Sequence, residues 1–154
     1  MSFSAQSKGV YAIATTPFLP DGSLDTPSVD RLTDFYQDSG CTGITILGIM
    51  GEAPKLEPSE SRAIIRQVVG RSRVPVIVGV SAPGFAAMRS LARDAMEMGA
   101  AGVMIAPTPA LRTDEQIISY FGQAVEAVGE DVPWVLQDYP LTLNVVMSAS
   151  VVAK

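Results

Sequence analysis

The chain has no histidine and a single cysteine, Cys41. The residue types that usually build zinc sites, Ser-His-Asp or Cys-His relays and internal disulfides are therefore missing. Chemistry must come from lysine, tyrosine, carboxylates or the backbone. The lysines are Lys8, Lys55 and Lys154. The segment Gly48-Ile49-Met50-Gly51-Glu52 sets two glycines three positions apart. Glycines at that spacing let the backbone approach a ligand closely and aim successive N–H groups at it. An anion, most simply a carboxylate, suits such a loop, so Gly48, Ile49, Met50 and Gly51 are the candidate substrate-binding residues. No metal site is expected.

Those residues need a scaffold, and the composition bounds it. The chain has 154 residues, 47% of them hydrophobic and 18% charged, which is enough apolar material for one buried core and one domain over residues 1–154. A net charge of −5 and a pI near 4.6 argue against a non-specific grip on nucleic acid or an anionic membrane. The start has no basic flank leading into an apolar stretch, and no run reaches the roughly 20 apolar residues of a membrane span. The expectation is a soluble, cytoplasmic protein whose partner is a small molecule or another protein.

Strand and helix signals alternate. Residues 10–18 (VYAIATTPF) read as a strand followed by the turn LPDGSLD. From Ser28 to Ser39 the apolar positions Val29, Leu32, Phe35 and Tyr36 recur at helical spacing, with Ser28 as the cap and Gly40 as the stop. Strands then follow at 43–47, 75–80, 102–106 and 133–138, helices at 59–69, 84–98 and 114–128, and a last helical start at 148–154. The strands are nearly all apolar rather than alternating, so both faces should be buried, as in a parallel sheet covered by helices.

One strand and one helix about every thirty residues is compatible with a closed eight-fold barrel or an open doubly wound sheet. Length favours a complete open five-stranded sheet, because a whole barrel takes about 250 residues. The strand ends favour the barrel. An open flavin- or receiver-type sheet should carry an acidic cluster or a phosphate-cradling loop after its first strand, and here that position holds Ala14-Thr15-Thr16-Pro17-Phe18.

The motifs in order are Ala12-Ile13-Ala14-Thr15-Thr16-Pro17-Phe18, Gly48-x-x-Gly51-Glu52, Pro75-Val76-Ile77-Val78-Gly79-Val80, Ala95-x-x-x-Gly99-Ala100-x-Gly102, Ala106-Pro107 and Gln137-Asp138-Tyr139-Pro140. Together they resemble the dihydrodipicolinate synthase / N-acetylneuraminate lyase family, over nearly the whole chain from Lys8. The resemblance implies a (β/α)8 TIM barrel, of which this chain supplies about the first five strands and four to five helices, within a protein of about 300 residues. It further implies a homotetramer that needs no cofactor and acts on pyruvate or another 2-keto acid. In that chemistry a lysine amine condenses with the keto group, and the resulting cation is an electron sink for C–C bond formation or cleavage, or for loss of water.

Carried over residue by residue, the family pattern holds in some places and departs in others. The two residues inside the glycine loop are commonly Thr or Ser in the family and are Ile49 and Met50 here; the backbone donors survive that change and the hydroxyls do not. Aligning the strand-five signature Tyr-Asn-x-Pro on Pro140 puts Gln137 at the proton-carrying tyrosine, and glutamine is neither acid nor base near neutral pH. Tyr139, two residues on, is the candidate substitute on the same face by strand alternation. Pro107-Thr108-Pro109 replaces the synthases' Pro-Tyr-Tyr, and Leu141-Thr142-Leu143 holds no basic residue. These departures favour an aldolase or dehydratase of a 2-keto-3-deoxy sugar acid over a lysine-pathway synthase, with a non-catalytic small-molecule binder as the other class. The Schiff-base lysine of the family lies on the sixth strand, beyond Lys154, so the chain by itself is expected to be inactive.

Remaining features read as structural: Met88, Met96, Met98 and Met104 as core filler, Asp114, Glu115 and Asp131 as helix-start and surface charges, Trp134 as packing, and Cys41 as a small buried residue.

Overall fold

The strands β1 (Tyr11–Ile13), β2 (Gly43–Ile46), β3 (Val76–Gly79), β4 (Gly102–Ile105) and β5 (Trp134–Leu136) pair in parallel, in the order β1-β2-β3-β4-β5, in the computed structural model, which describes residues 3–154. That order settles the architecture. A doubly wound sheet reverses direction at a switch point, whereas strands added always on the same side by right-handed crossovers keep every helix on one face and curl toward closure. The complete open doubly wound sheet is thereby corrected, and the sheet is the first part of a (β/α)8 barrel. The helices α1 (Thr26–Asp38), α2 (Pro58–Arg71), α3 (Phe85–Glu97) and α4 (Asp114–Val128) form the outer layer, each packed on the next.

Register divides the strand residues between two layers. Ile44, Ile46, Val76, Val78, Val103 and Ile105 point outward into the core shared with the helices. The register Ile13↔Thr45↔Ile77 and Gly79↔Met104 places those residues on the opposite, inner face. Burial of every residue of β2, β3 and β4 matches the apolar strand reading. The outer strands differ: β1 is half-buried and Trp134 and Val135 of β5 are exposed, because each strand has a neighbour on one side only among the described residues. At the N-terminal end of the inner layer the Tyr11 ring fills the space beside Gly43, where a Cβ would stand 2.3 Å from the ring. Phe3 meets Tyr11 edge-on at 5.6 Å.

Several boundaries shift for local reasons. The first strand pairs only over three residues before Thr15-Thr16-Pro17 leaves the sheet. Helix α1 begins two residues before Ser28, because Asp25 is the cap: its carboxylate accepts the Ser28 N–H at 3.1 Å and also the Ser28 hydroxyl. Gly40, with φ of +82°, ends the helix as expected. Phe35 is 62% exposed, and Thr33 takes the buried position on that face by bonding its hydroxyl to the Val29 carbonyl. Strand β5 is three residues long, and two four-residue helices follow, α5 (Pro140–Leu143), which the sequence reading did not anticipate, and α6 (Ala149–Val152). Cys41 is half-buried, not buried. Met88 and Met104 are core residues, and Trp134 stacks on Phe121 of α4.

Surface charge is used to staple neighbouring helices. Arg71 of α2 grips Asp34 of α1, and Arg62 of α2 reaches Asp94 of α3 at 2.5 Å. Hydrogen bonds from Ser28 hold the Asp25 carboxyl below its ordinary value of 3.8, and Arg71 does the same for Asp34. Both groups titrate lower in the fold than in the unfolded chain. Their contribution to stability is therefore complete above about pH 5 and is lost as the pH falls through 3.8 and below. Replacing both by asparagine should flatten the fall in urea midpoint between about pH 5 and pH 3 relative to the unaltered protein; an unchanged slope would show that other carboxylates govern acid unfolding.

Candidate functional site

The segments singled out in the sequence leave the sheet at one end, the C-terminal ends of the strands. In parallel α/β barrels that end carries the functional loops, because each crossover helix starts there. Around the rim lie Thr15-Thr16 after β1, the glycine loop after β2, Val80-Ser81 after β3, Ala106-Pro107 after β4 and Gln137-Asp138-Tyr139 after β5.

The glycine loop is bounded by two left-handed residues that are not glycine, Leu47 with φ of 55° and Glu52 with φ of 54°. Each costs roughly 1–2 kcal/mol in a side chain bearing a Cβ, so their surroundings must impose the conformation. The neighbour that permits it is Gly79. A Cβ there would stand 2.1 Å from the Leu47 carbonyl oxygen and 3.2 Å from the Gly48 nitrogen, so β2 can turn onto β3 only where β3 has no side chain. Gly48 and Gly51 are both buried. A Cβ on Gly48 would stand 3.1 Å from Met104 and 3.4 Å from Ile13, which places the loop directly above the inner layer.

Inside the loop the carbonyls of Gly48, Ile49 and Gly51 are occupied. Gly51 N–H donates to the Gly48 carbonyl and Glu52 N–H to the Ile49 carbonyl, both at 3.1 Å, and the Thr16 hydroxyl donates to the Gly51 carbonyl at 2.6 Å. The N–H groups of Ile49 and Met50 have no backbone or side-chain acceptor among the described residues. The turn therefore presents two adjacent free N–H groups while three of its carbonyls are paired, a polarity that suits an anion. Met50 is 56% exposed, and Glu52 pairs with Lys55 at 2.5 Å on the surface.

On the far side of the rim, Gln137 stays in the ladder through its N–H, which donates to the Ile105 carbonyl at 2.9 Å, and its side chain is half-buried. Tyr139 is 40% exposed and stands at the start of α5, beyond the last paired residue. Strand alternation ends at Leu136, so the alternation argument for Tyr139 does not extend to its position. Between them, the Ser81 hydroxyl accepts the Ala106 N–H at 2.8 Å, and the Tyr120 hydroxyl donates to the Ala106 carbonyl at 3.1 Å. Burial raises the pKa of Tyr120, which keeps it a donor. Thr16, Gly79, Ser81 and Tyr120 had no place among the predicted site residues. Thr16 and Gly79 sit inside quoted motifs, whereas nothing in the local sequence marks Ser81 or Tyr120.

The three lysines are all on the surface. Lys8 precedes β1, Lys55 is held by Glu52, and Lys154 follows α6, all of them exposed. Among the described residues no three His, Cys, Asp or Glu side chains gather where they could hold a metal, and no helix is long and apolar enough to cross a membrane.

A consecutive parallel sheet under one layer of helices, with a glycine turn at the C-terminal ends of its strands, defines the first part of a barrel-type α/β protein. The comparisons with known proteins give the family. The model of the dihydrodipicolinate synthetase family matches residues 6–154, and the chain belongs to that family. The 4-hydroxy-tetrahydrodipicolinate synthase of Nitrosococcus oceani is 36% identical over 135 residues, covering 86% of this chain and 46% of the relative. A crystal structure of dihydrodipicolinate synthase from Rhodopseudomonas palustris superposes with a TM-score of 0.95 at 61% identity, over 99% of this chain and 51% of that one. The prophage protein YagE of E. coli K12, solved in complex with pyruvate, superposes with a TM-score of 0.80 at 28% identity, over 91% and 47%. The chain thus spans about half the length of the relatives it matches.

The close approach at Gly79 yields a pair of opposite expectations. Gly79→Ala should lower stability by about 2 kcal/mol or more, as overpacking against backbone does. Gly70→Ala, in α2 with nothing within 4 Å of its Cβ position, should raise it by about 0.5 kcal/mol through helix propensity. Denaturant midpoints of the two variants check both signs.

Proposed function

We propose that this chain forms the first part of a cytoplasmic, homotetrameric lyase that acts on pyruvate or another 2-keto acid through a lysine Schiff base. The observation that carries the reading is the Gly48–Gly51 turn, which leaves the adjacent Ile49 and Met50 N–H donors free while pairing the Gly48, Ile49 and Gly51 carbonyls. A carboxylate takes two such donors without any charged side chain, and its binding there would orient the adjacent keto carbon over the inner layer, where Gly48 meets Ile13 and Met104. The pyruvate reported with the related prophage protein supports the same ligand class. The lysine itself is none of Lys8, Lys55 and Lys154 and would come from the sixth strand. Its amine adds to the keto carbon and expels water, and the iminium so formed accepts the electron pair of the bond that breaks. No metal or cofactor enters.

Within this reading Gln137 hydrogen-bonds the bound acid, and Tyr139 carries the proton. The absence of hydroxyls at Ile49 and Met50, and Pro109 in place of a tyrosine, weaken the relay a synthase would use, and favour cleavage or dehydration of a 2-keto-3-deoxy sugar acid. The dehydratase is the second reading, and product analysis with such an acid separates the two: pyruvate plus an aldehyde for cleavage, a dehydrated keto acid for dehydration.

The deciding experiment is the intact mass of the full-length gene product with pyruvate, before and after borohydride. One reduced pyruvate adduct per subunit is expected, and its absence would refute the Schiff-base mechanism. Binding of pyruvate without an adduct would mean a non-catalytic binder. For the proton carrier, Tyr139→Phe should lower kcat by about 100-fold with the adduct still forming; an unchanged kcat would leave Tyr139 a structural residue.

A further inference from the structure

We propose that Thr16 is a positioning residue for the carboxylate-binding turn, acting from the loop after β1 on the loop after β2 and touching no substrate itself. The inference rests on the functional reading above and adds to it the residue that pairs the Gly51 carbonyl of the turn.

The carbonyls that could spoil an anion site differ in how they are held, and that of Met50 has no donor among the described residues. Those of Gly48 and Ile49 are taken up within the turn by Gly51 and Glu52, and that of Leu47 is packed into the space left by Gly79. The Gly51 carbonyl has no such local partner. Its single hydrogen bond comes from the Thr16 hydroxyl, 35 residues earlier in the chain, at 2.6 Å. Thr16 is half-buried beside Pro17, at the point where the chain leaves β1, and Ala14 two residues before it is tied to β2 through the Thr45 carbonyl at 2.8 Å. The donor is thus delivered from a fixed piece of backbone. The bond does two things at once: it occupies the Gly51 carbonyl, and together with the Glu52 N–H, which donates to the Ile49 carbonyl, it holds the Gly51–Glu52 peptide from both ends and so closes the turn that carries the Ile49 and Met50 N–H donors. Without it the Gly51 carbonyl has no donor among the described residues, and an unpaired carbonyl dipole beside a bound carboxylate is repulsive.

A role in the turn's polarity differs from a role in general stability by what it discriminates. Thr16→Val keeps shape and removes the donor, whereas Thr16→Ser keeps the donor. In the full-length protein, the rate of borohydride-trapped adduct formation is measured against the concentration of pyruvate and, separately, of its neutral methyl ester. Thr16→Val should raise the half-saturating concentration of pyruvate by about tenfold, leave the limiting rate within about twofold, and leave the methyl ester unaffected. Thr16→Ser should restore the pyruvate value. The ratio between the two ligands is insensitive to a loss of folded protein, which lowers the amplitude for both alike, so a destabilised variant still gives an answer. Equal effects on pyruvate and ester, or none on either, would overturn the inference while the functional reading stood. A wild-type protein that bound no pyruvate would overturn the reading and this inference with it.

Discussion

The carbonyl of Leu47 lies where a side chain of residue 79 would otherwise be, and the rim of this half-barrel is organised around that contact. Neighbouring parallel strands normally run past each other at a fixed spacing, with side chains on both faces. Here β2 ends by turning left-handed at Leu47 and laying its backbone across β3. The turn brings Gly48 down onto Ile13 and Met104 of the inner layer and sends the next two N–H groups into the open. Loop backbone buried in this way would be costly if its polar groups went unpaired. The internal bonds of the turn and the hydroxyl of Thr16 remove that cost at the Gly48, Ile49 and Gly51 carbonyls, and the Ile49 and Met50 N–H groups stay unpaired among the described residues.

The rest of the rim is tied in the same manner, loop to neighbouring loop. Ser81 after β3 takes the Ala106 N–H after β4, Tyr120 from α4 takes the Ala106 carbonyl, and Gln137 after β5 continues the ladder onto Ile105. The Ser81 and Gln137 bonds join the ends of consecutive strands, which are neighbours only because the sheet is wound in one direction. The order of the strands is therefore a condition of the site. A doubly wound sheet would separate some of these loops and would place its ligand at the switch point. Helix-to-helix ion pairs, such as Arg71 with Asp34 and Arg62 with Asp94, repeat the neighbour-to-neighbour pattern on the outside.

Much of the architecture could be read along the chain, because the signals are local. Continuous apolar runs marked strands buried on both faces, and the inner three are so buried; helical spacing of apolar residues marked α1 to α4. Errors fell where a distant or competing partner decides. Asp25 displaced Ser28 as cap because one carboxylate satisfies both the N–H and the hydroxyl of Ser28. Phe35 has the right spacing for the core and lies outside it, since a threonine whose hydroxyl is satisfied by the Val29 carbonyl occupies the inward position. The short α5 follows Pro140, a good first helical residue, in a stretch too brief to show a period.

The sequence by itself determined the alternation of strands and helices, the glycine turn, and the family by its ordered motifs. Those follow from residue type, spacing and composition, which do not depend on what lies across the fold. Only the tertiary structure decided that the strands run in consecutive order, that Gly79 exists to receive the Leu47 carbonyl, and that Thr16 completes the turn from 35 residues away. A close approach or a single hydrogen bond between distant segments leaves no periodic trace in the chain. It becomes visible only when packing has brought the two backbones together.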